Sequence, residues 1–260
     1  ICGQLNITES LVRTTLSRLA TGDRLVGTKV GRKSYYHLTE SSHDEFQNAA
    51  KRLYSGKHEV GDRWTFVLNL DPSRREEIKR STERLGFGAP AHGLYVKPGD
   101  HRSQLKYAFG DELTKGGNVV FISTLEDAMA NRVNTSLLSQ AWDMGSIQKT
   151  YEQFYSKFAS LHECLNEGHR LDGRTSFLIR QILIHEYRLI ALKDPWLPTE
   201  MLPENWIGYE GYRLFSGVYA ALIKPSEAFL DKLLDDGGPK KNHKSVIIAE
   251  RLASLAASSK

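Results

Sequence analysis

The stretch Thr8-Glu9-Ser10-Leu11-Val12-Arg13-Thr14-Thr15-Leu16-Ser17-Arg18-Leu19-Ala20-Thr21-Gly22-Asp23 decides how this chain is read, together with Leu25 to Lys29, Val30-Gly31-Arg32-Lys33 and Ser34 to His37 behind it. Thr8 suits a helix N-cap, with Ile7 before it and Val12 at the fourth helical position as the two halves of a hydrophobic staple. At about 100° per residue, Arg13, Ser17, Ser10, Thr14 and Arg18 fall in one arc of about 140°, while Leu11, Thr15, Leu19, Val12, Leu16 and Ala20 fill the remainder. The second group is expected to pack on a small core. The first offers two guanidinium groups and three hydroxyls, chemistry that suits phosphates and base edges in a major groove. By itself the pattern equally describes an amphipathic surface helix.

The residues that follow bear on that choice. Gly22-Asp23 ends the helix, and Leu25 to Lys29 and Ser34 to His37 are expected to be two short strands joined by a basic turn with Arg32 and Lys33 at its tip. Helix, short turn and basic hairpin are the closing order of a winged helix, whose second element lies in the groove and whose wing touches the flanking backbone. Of Tyr35, Tyr36 and Leu38, one alternate set packs under the helix and the other faces out. Charge agrees: residues 1–39 hold six Lys/Arg (Arg13, Arg18, Arg24, Lys29, Arg32, Lys33) against Glu9 and Asp23, leaving 29 bases and 29 acids elsewhere. A positive field confined to one end attracts a polyanion, although a solvated charged face is the plainer reading of such a cluster.

Val12-Arg13-Thr14-Thr15-Leu16-Ser17-Arg18-Leu19 and Gly31-Arg32-Lys33-Ser34-Tyr35-Tyr36-His37-Leu38-Thr39 closely resemble the V-R-T-x-L-S-R-L and G-R-x-S-Y-Y-x-L-T segments of the PaaX-like repressors, a family that represses phenylacetate breakdown. The resemblance implies an α+β multi-domain protein. Residues 1–45 would be a winged helix-turn-helix, truncated because only Ile1 to Leu5 are left to represent the helix before the recognition helix. It implies double-stranded operator DNA as partner, with Ser10, Arg13, Thr14, Ser17, Arg18, Arg32, Lys33 and Tyr35 as the contacting residues.

Beyond a polar stretch from Glu40 to Asp62, the apolar run Trp64 to Leu70 reads as a strand stopping at Asp71-Pro72, with Ser73 able to cap the next helix. Helix (Arg74 to Leu85), turn (Gly86-Phe87-Gly88), strand (Gly93 to Lys97), helix (His101 to Phe109) and strand (Asn118 to Ile122) follow, the order of a small α/β sandwich. Trp64-Thr65, Leu85-Gly86-Phe87-Gly88 and Gly93-Leu94-Tyr95-Val96 resemble landmarks of the family's central domain, which implies a ferredoxin-like, Cas2-like fold over residues 60–140. Such folds raise an enzymatic alternative, a metal-dependent nuclease with Asp71 holding a divalent cation. Asp71 before Pro72-Ser73 suits a turn or cap equally well. From Ala141 the pattern is helical, with apolar residues three and four apart in Ile147 to Leu165, Phe177 to Leu192 and Tyr209 to Leu234. Segments such as His185-Glu186-Tyr187-Arg188 and Asp194-Pro195-Trp196-Leu197-Pro198 resemble the family's C-terminal domain, placed at 141–236. Residues 237–260 read as a linker and a short terminal helix, Ser245 to Ala257.

Neither zinc-peptidase nor nucleophilic catalysis finds support in the sequence. His185-Glu186 lacks the second histidine of a zinc peptidase, since Leu189 stands there, and no nucleophile elbow or cysteine–histidine pairing occurs. Cys2 and Cys164 indicate neither disulfide nor zinc site, no apolar run is long enough to cross a membrane, and a reduced cytoplasm is the expected compartment. A palindromic operator would demand a homodimer. The resemblance further implies an acyl-CoA effector such as phenylacetyl-CoA, with Arg180, His185, Arg188 and Trp196 as candidates to line its site. A purely structural role for those four is the simpler alternative.

Overall fold

The computed structural model describes residues 3, 6–31, 33–56, 63–110, 117–124, 140–233, 251–253 and 255. The fold is mixed α and β with a helical C-terminal region. Helix α1 (Glu9–Thr21) starts where Thr8 accepts the Leu11 amide through its hydroxyl, 3.3 Å away. It ends in two crossed bonds, Arg24 N to Leu19 O (2.8 Å) and Asp23 N to Ala20 O (3.2 Å), with Asp23 in the left-handed region at φ 53°. This is the Schellman arrangement, in which carbonyls left over at a helix end find donors beyond it. Strands β1 (Leu25–Val30) and β2 (Lys33–Leu38) pair antiparallel from Leu25↔Leu38 to Val30↔Lys33. Gly31 opens the two-residue turn at φ 61°, as the primed hairpin turns require.

A helix that the sequence reading passes over follows directly. Helix α2 (Glu40–Tyr54) occupies most of the stretch read as polar and charged. Its inward side carries Ser42 and half-buried Ala49 and Ala50, with large apolar groups concentrated in its last turn at Leu53 and Tyr54. Its apolar residues recur three and four apart at Phe46, Ala49, Ala50 and Leu53, but ten of its fifteen residues are polar or charged, so the stretch reads as polar.

Strand β3 (Arg63–Asn69) is central to a four-stranded antiparallel sheet of order β4-β5-β3-β6, with β4 at Gly88–Ala91, β5 at Leu94–Pro98 and β6 at Asn118–Thr124. Helix α3 (Arg75–Arg84) joins β3 to β4, and α4 (Arg102–Phe109) joins β5 to β6. Alternation along β3 divides its side chains between two cores. Val67 packs with Ile78, Phe87, Tyr95, Leu105 and Phe109; Trp64 and Phe66 pack with Val96, Met144, Leu197 and Met201. A strand covered on both faces reads as the unbroken apolar run seen in the sequence. Strand β4 is absent from the sequence reading, which ends a turn at Gly88 and begins the next strand at Gly93. Its Gly-Ala-Pro-Ala composition has little strand propensity, and it persists on the sheet edge, where proline is tolerated.

Three long helices follow: α5 (Met144–Asn166), α6 (Gly173–Ala191) and α7 (Gly208–Leu233). The first two begin earlier than periodicity places them because capping acids precede the apolar pattern. Asp143 accepts the Ser146 amide at 3.0 Å, and Asp172 accepts the Arg174 and Thr175 amides at 3.0 and 3.1 Å. These bonds and the Thr175 hydroxyl, foremost among them, hold the Asp172 carboxyl below its ordinary range. The chain divides into two compact units, one comprising Ile1–Gly56, Phe158–Arg188 and Tyr212–Lys260, the other Lys57–Lys157 and Leu189–Gly211. The linker and most of the terminal helix expected after residue 236 lie outside the described residues.

Candidate nucleic-acid interface

Helix α1 presents the expected row. Ser10, Arg13, Thr14, Ser17 and Arg18 are all exposed. Thr14 donates its hydroxyl to the Ser10 carbonyl (2.9 Å), so the hydroxyl oxygen faces outward as an acceptor. Arg13 reaches Glu9 at 3.5 Å across one helical turn, with side chains 82% and 79% exposed. That pair is loose and solvated, of the kind worth about 0–1 kcal/mol, and a phosphate or base edge can displace it.

The other half of the helix departs from expectation. No residue of α1 is buried: Val12 and Leu16 are half-covered, and Leu11 and Leu19 remain 57% and 39% exposed. The described part of the hairpin beside it supplies only Leu25 and Tyr35 as partly buried side chains, too little surface to enclose six side chains. The arginine row is thus outward-facing, without the interior anchor the sequence pattern promises.

On the hairpin, Tyr35 is half-buried, while Tyr36 lies across the strand pair, its ring 3.1 Å from where a Cβ on Gly27 would stand. Gly27 is the residue that makes room for it. Lys33 holds the last ladder position opposite Val30. Its side chain and the whole of Arg32 lie outside the described residues. Lys29, exposed and opposite Ser34, joins the candidate surface. Its strand position fixes this placement, and the cross-strand register that reveals it is absent from the linear pattern.

The remaining candidates separate. Arg180 is buried on α6 and paired with Glu227 of α7 at 2.6 Å, whereas His185 and Arg188 face solvent further along the same helix. Trp196 belongs to the other compact unit. Its backbone is left-handed at φ 60°, held by a bond from its amide to the Asp194 carboxylate (2.8 Å), which also accepts the Tyr151 hydroxyl at 2.9 Å. Such a φ is strained for a bulky residue and persists because its surroundings enforce it.

Asp71 has a structural occupation. Its Oδ1 accepts both the amide and the hydroxyl of Ser73, at 2.9 and 2.7 Å, capping the short turn Pro72–Arg74, and these bonds hold its carboxyl below the usual range. Asp71 thus caps the short turn, while α3 follows Arg74 with no side-chain cap, so Ser73 does not cap that helix. Among the described residues no three His, Cys, Asp or Glu side chains gather as a metal-holding group. No described helix is long and apolar enough to cross a membrane.

Together these features define a mixed α/β protein whose N-terminal residues form a solvent-facing cationic helix and hairpin and whose C-terminal residues are helical. Residues 1–42 match the model of the PaaX-like protein family and residues 142–232 that of the PaaX-like protein C-terminal domain. The chain is 27% identical over 232 residues to the transcriptional repressor PaaX of Escherichia coli (strain K12), covering 88% of this chain and 73% of that protein. It belongs to the PaaX-like family. Among solved structures, the uncharacterized protein Rv0674 from Mycobacterium tuberculosis shares the fold, with a TM-score of 0.51, 16% identity and 87% of each chain covered.

Proposed function

We propose that this chain is a DNA-binding transcriptional repressor and not an enzyme, with α1 as the recognition helix and β1–β2 as the wing of a winged helix-turn-helix. The observation that carries the reading is the exposed row Ser10, Arg13, Thr14, Ser17 and Arg18, in a chain related to a named transcriptional repressor. Guanidinium groups read guanine edges and grip phosphates, and hydroxyls serve either. Lys29, Arg32, Lys33 and Tyr35 on the hairpin supply contacts to the flanking backbone.

The repressor acts in the cytoplasm as a homodimer on a roughly palindromic operator of an aromatic-acid, phenylacetate-type operon. The β-α-β-β-α-β order and strand order of the central sheet support a ferredoxin-like, Cas2-like domain. An acyl-CoA thioester such as phenylacetyl-CoA releases the DNA by preferring the conformation that binds operator less well. His185 and Arg188, exposed on α6, are the accessible candidates for that ligand, since Arg180 is engaged by Glu227.

The test is a titration of the protein on its own promoter DNA across a range of salt, with and without aryl-CoA compounds. Expected is operator binding that weakens steeply with salt, as counterion release demands, and that one thioester abolishes. Equal affinity for operator and random DNA at every salt concentration rejects the repressor reading. Insensitivity to every thioester rejects the effector.

A further inference from the structure

Helix α1 has no buried residue, so its own packing, limited to half-covered Val12 and Leu16, holds it only weakly. The turn behind it is held by Thr39. That residue donates its hydroxyl to the Asp23 carbonyl (2.8 Å), gives its amide to the Arg24 carbonyl (3.3 Å), and accepts the Ser42 amide as cap of α2 (3.3 Å). The end of α1 and the start of α2 thus share one residue. Helix α2 then runs about 22 Å at 1.5 Å per residue to a terminus that is buried. Leu53 and Tyr54 are each 6% exposed, and the Tyr54 ring lies 5.1 Å from Tyr219 and 6.0 Å from Phe215. Its carbonyl accepts the Tyr212 hydroxyl at 3.0 Å, and Phe215 stacks in turn on Tyr187 of α6 at 4.0 Å. All of these residues belong to one compact unit.

Arg251, among the last described residues of the chain, reaches this cage. The Arg251 guanidinium sits over the Tyr54 ring, 4.8 Å from its centroid, and Leu255 is buried, 3% exposed. We propose that the C-terminal segment around Arg251 and Leu255 is a clasp on the end of α2, and that by fixing α2 it positions α1 for DNA. Arg251 is in this sense a positioning residue that does not itself touch nucleic acid. The direction follows from preorganisation: a chain whose α2 is already held loses less conformational freedom on binding, so the closed clasp favours DNA. The inference rests on the DNA-binding reading of α1.

The test compares the full chain with Arg251→Ala, Arg251→Lys and Leu255→Ser on promoter DNA, and follows amide hydrogen exchange over residues 50–56 without DNA. Arg251→Ala is expected to raise exchange there and to weaken operator binding by about two- to thirtyfold, the range one cation–π contact spans. Arg251→Lys, which keeps a cation over the ring, is expected to recover part of the loss, and Leu255→Ser to reproduce the alanine phenotype. The slope of affinity against salt stays at the wild-type value, because no phosphate contact is removed. Unchanged exchange in Arg251→Ala overturns the clasp. Raised exchange with unchanged or tighter DNA binding overturns its role in positioning α1. A slope reduced by about one makes Arg251 a phosphate contact instead. A wild-type chain that binds no promoter DNA rejects the repressor reading and the positioning role together, while the exchange measurement still decides the clasp.

Discussion

Replacing Arg13 by alanine isolates the chemistry assigned to α1. The side chain is 82% exposed, and its partner Glu9 stands 3.5 Å away and is nearly as exposed. Fold stability should therefore change by less than about 0.5 kcal/mol, as for surface substitutions generally. A guanidinium bidentate to guanine is worth about 1–3 kcal/mol of discrimination, and breaking the Glu9 pair to reach DNA returns at most about 0.5 kcal/mol to solvent. The difference leaves operator affinity lower by roughly threefold to a hundredfold in Arg13→Ala, with a smaller loss on random duplex. Fluorescence anisotropy on both duplexes, at several salt concentrations and beside a thermal melt, measures each quantity. Equal losses on operator and random DNA would refute the assignment of Arg13 to base reading, and a melting shift of several degrees would refute its description as a solvated surface residue.

Further expectations follow from other parts of the molecule. Glu9→Gln, which removes a negative charge beside Arg13, should tighten operator and random DNA alike by up to about fivefold, most clearly at low salt; a weaker complex would count against the geometry. Gly56→Ala should lower the melting temperature and the midpoint of urea unfolding, because a Cβ there lies 2.1 Å from the Tyr212 ring and Gly56 is left-handed at φ 57°. An unperturbed melt would mean that the α2 terminus is not packed as described. The bonds from Arg102 draw the Asp100 carboxyl down to about 2, below its ordinary 3.8. A carboxylate whose pKa falls on folding stabilises above the ordinary value and loses that contribution as pH falls toward the depressed one. Wild type should accordingly melt above Asp100→Asn at pH 5 and converge with it near pH 2, as scanning calorimetry would read; parallel curves would contradict the pairing. With magnesium or manganese present, wild type and Asp71→Asn should leave duplex and single-stranded DNA uncut on a gel, and cleavage by wild type alone would revive the nuclease alternative.

Local chemistry accounts for what could be read from the residues alone. Thr8 and Gly22-Asp23 bracket α1, a three-and-four spacing marks α5 to α7, and the run Trp64 to Leu70 declares a strand covered on both faces. Each signal arises from neighbours within a turn or a pleat, which is why the arginine row and the hairpin were legible before any coordinates. Helix α2 and strand β4 were not: most α2 residues are polar and its terminus is fixed by Tyr212, Phe215 and Tyr219 far along the chain, while the Gly-Ala-Pro-Ala of β4 has little strand propensity and is held by its hairpin partner β5. Tertiary structure also decided the burial of each candidate. It paired Arg180 with Glu227, gave Asp71 to a turn, left the apolar side of α1 largely uncovered and brought Arg251 back onto Tyr54. Residue type and spacing settle which groups a helix can offer; only long-range packing settles which of them water, or DNA, can reach.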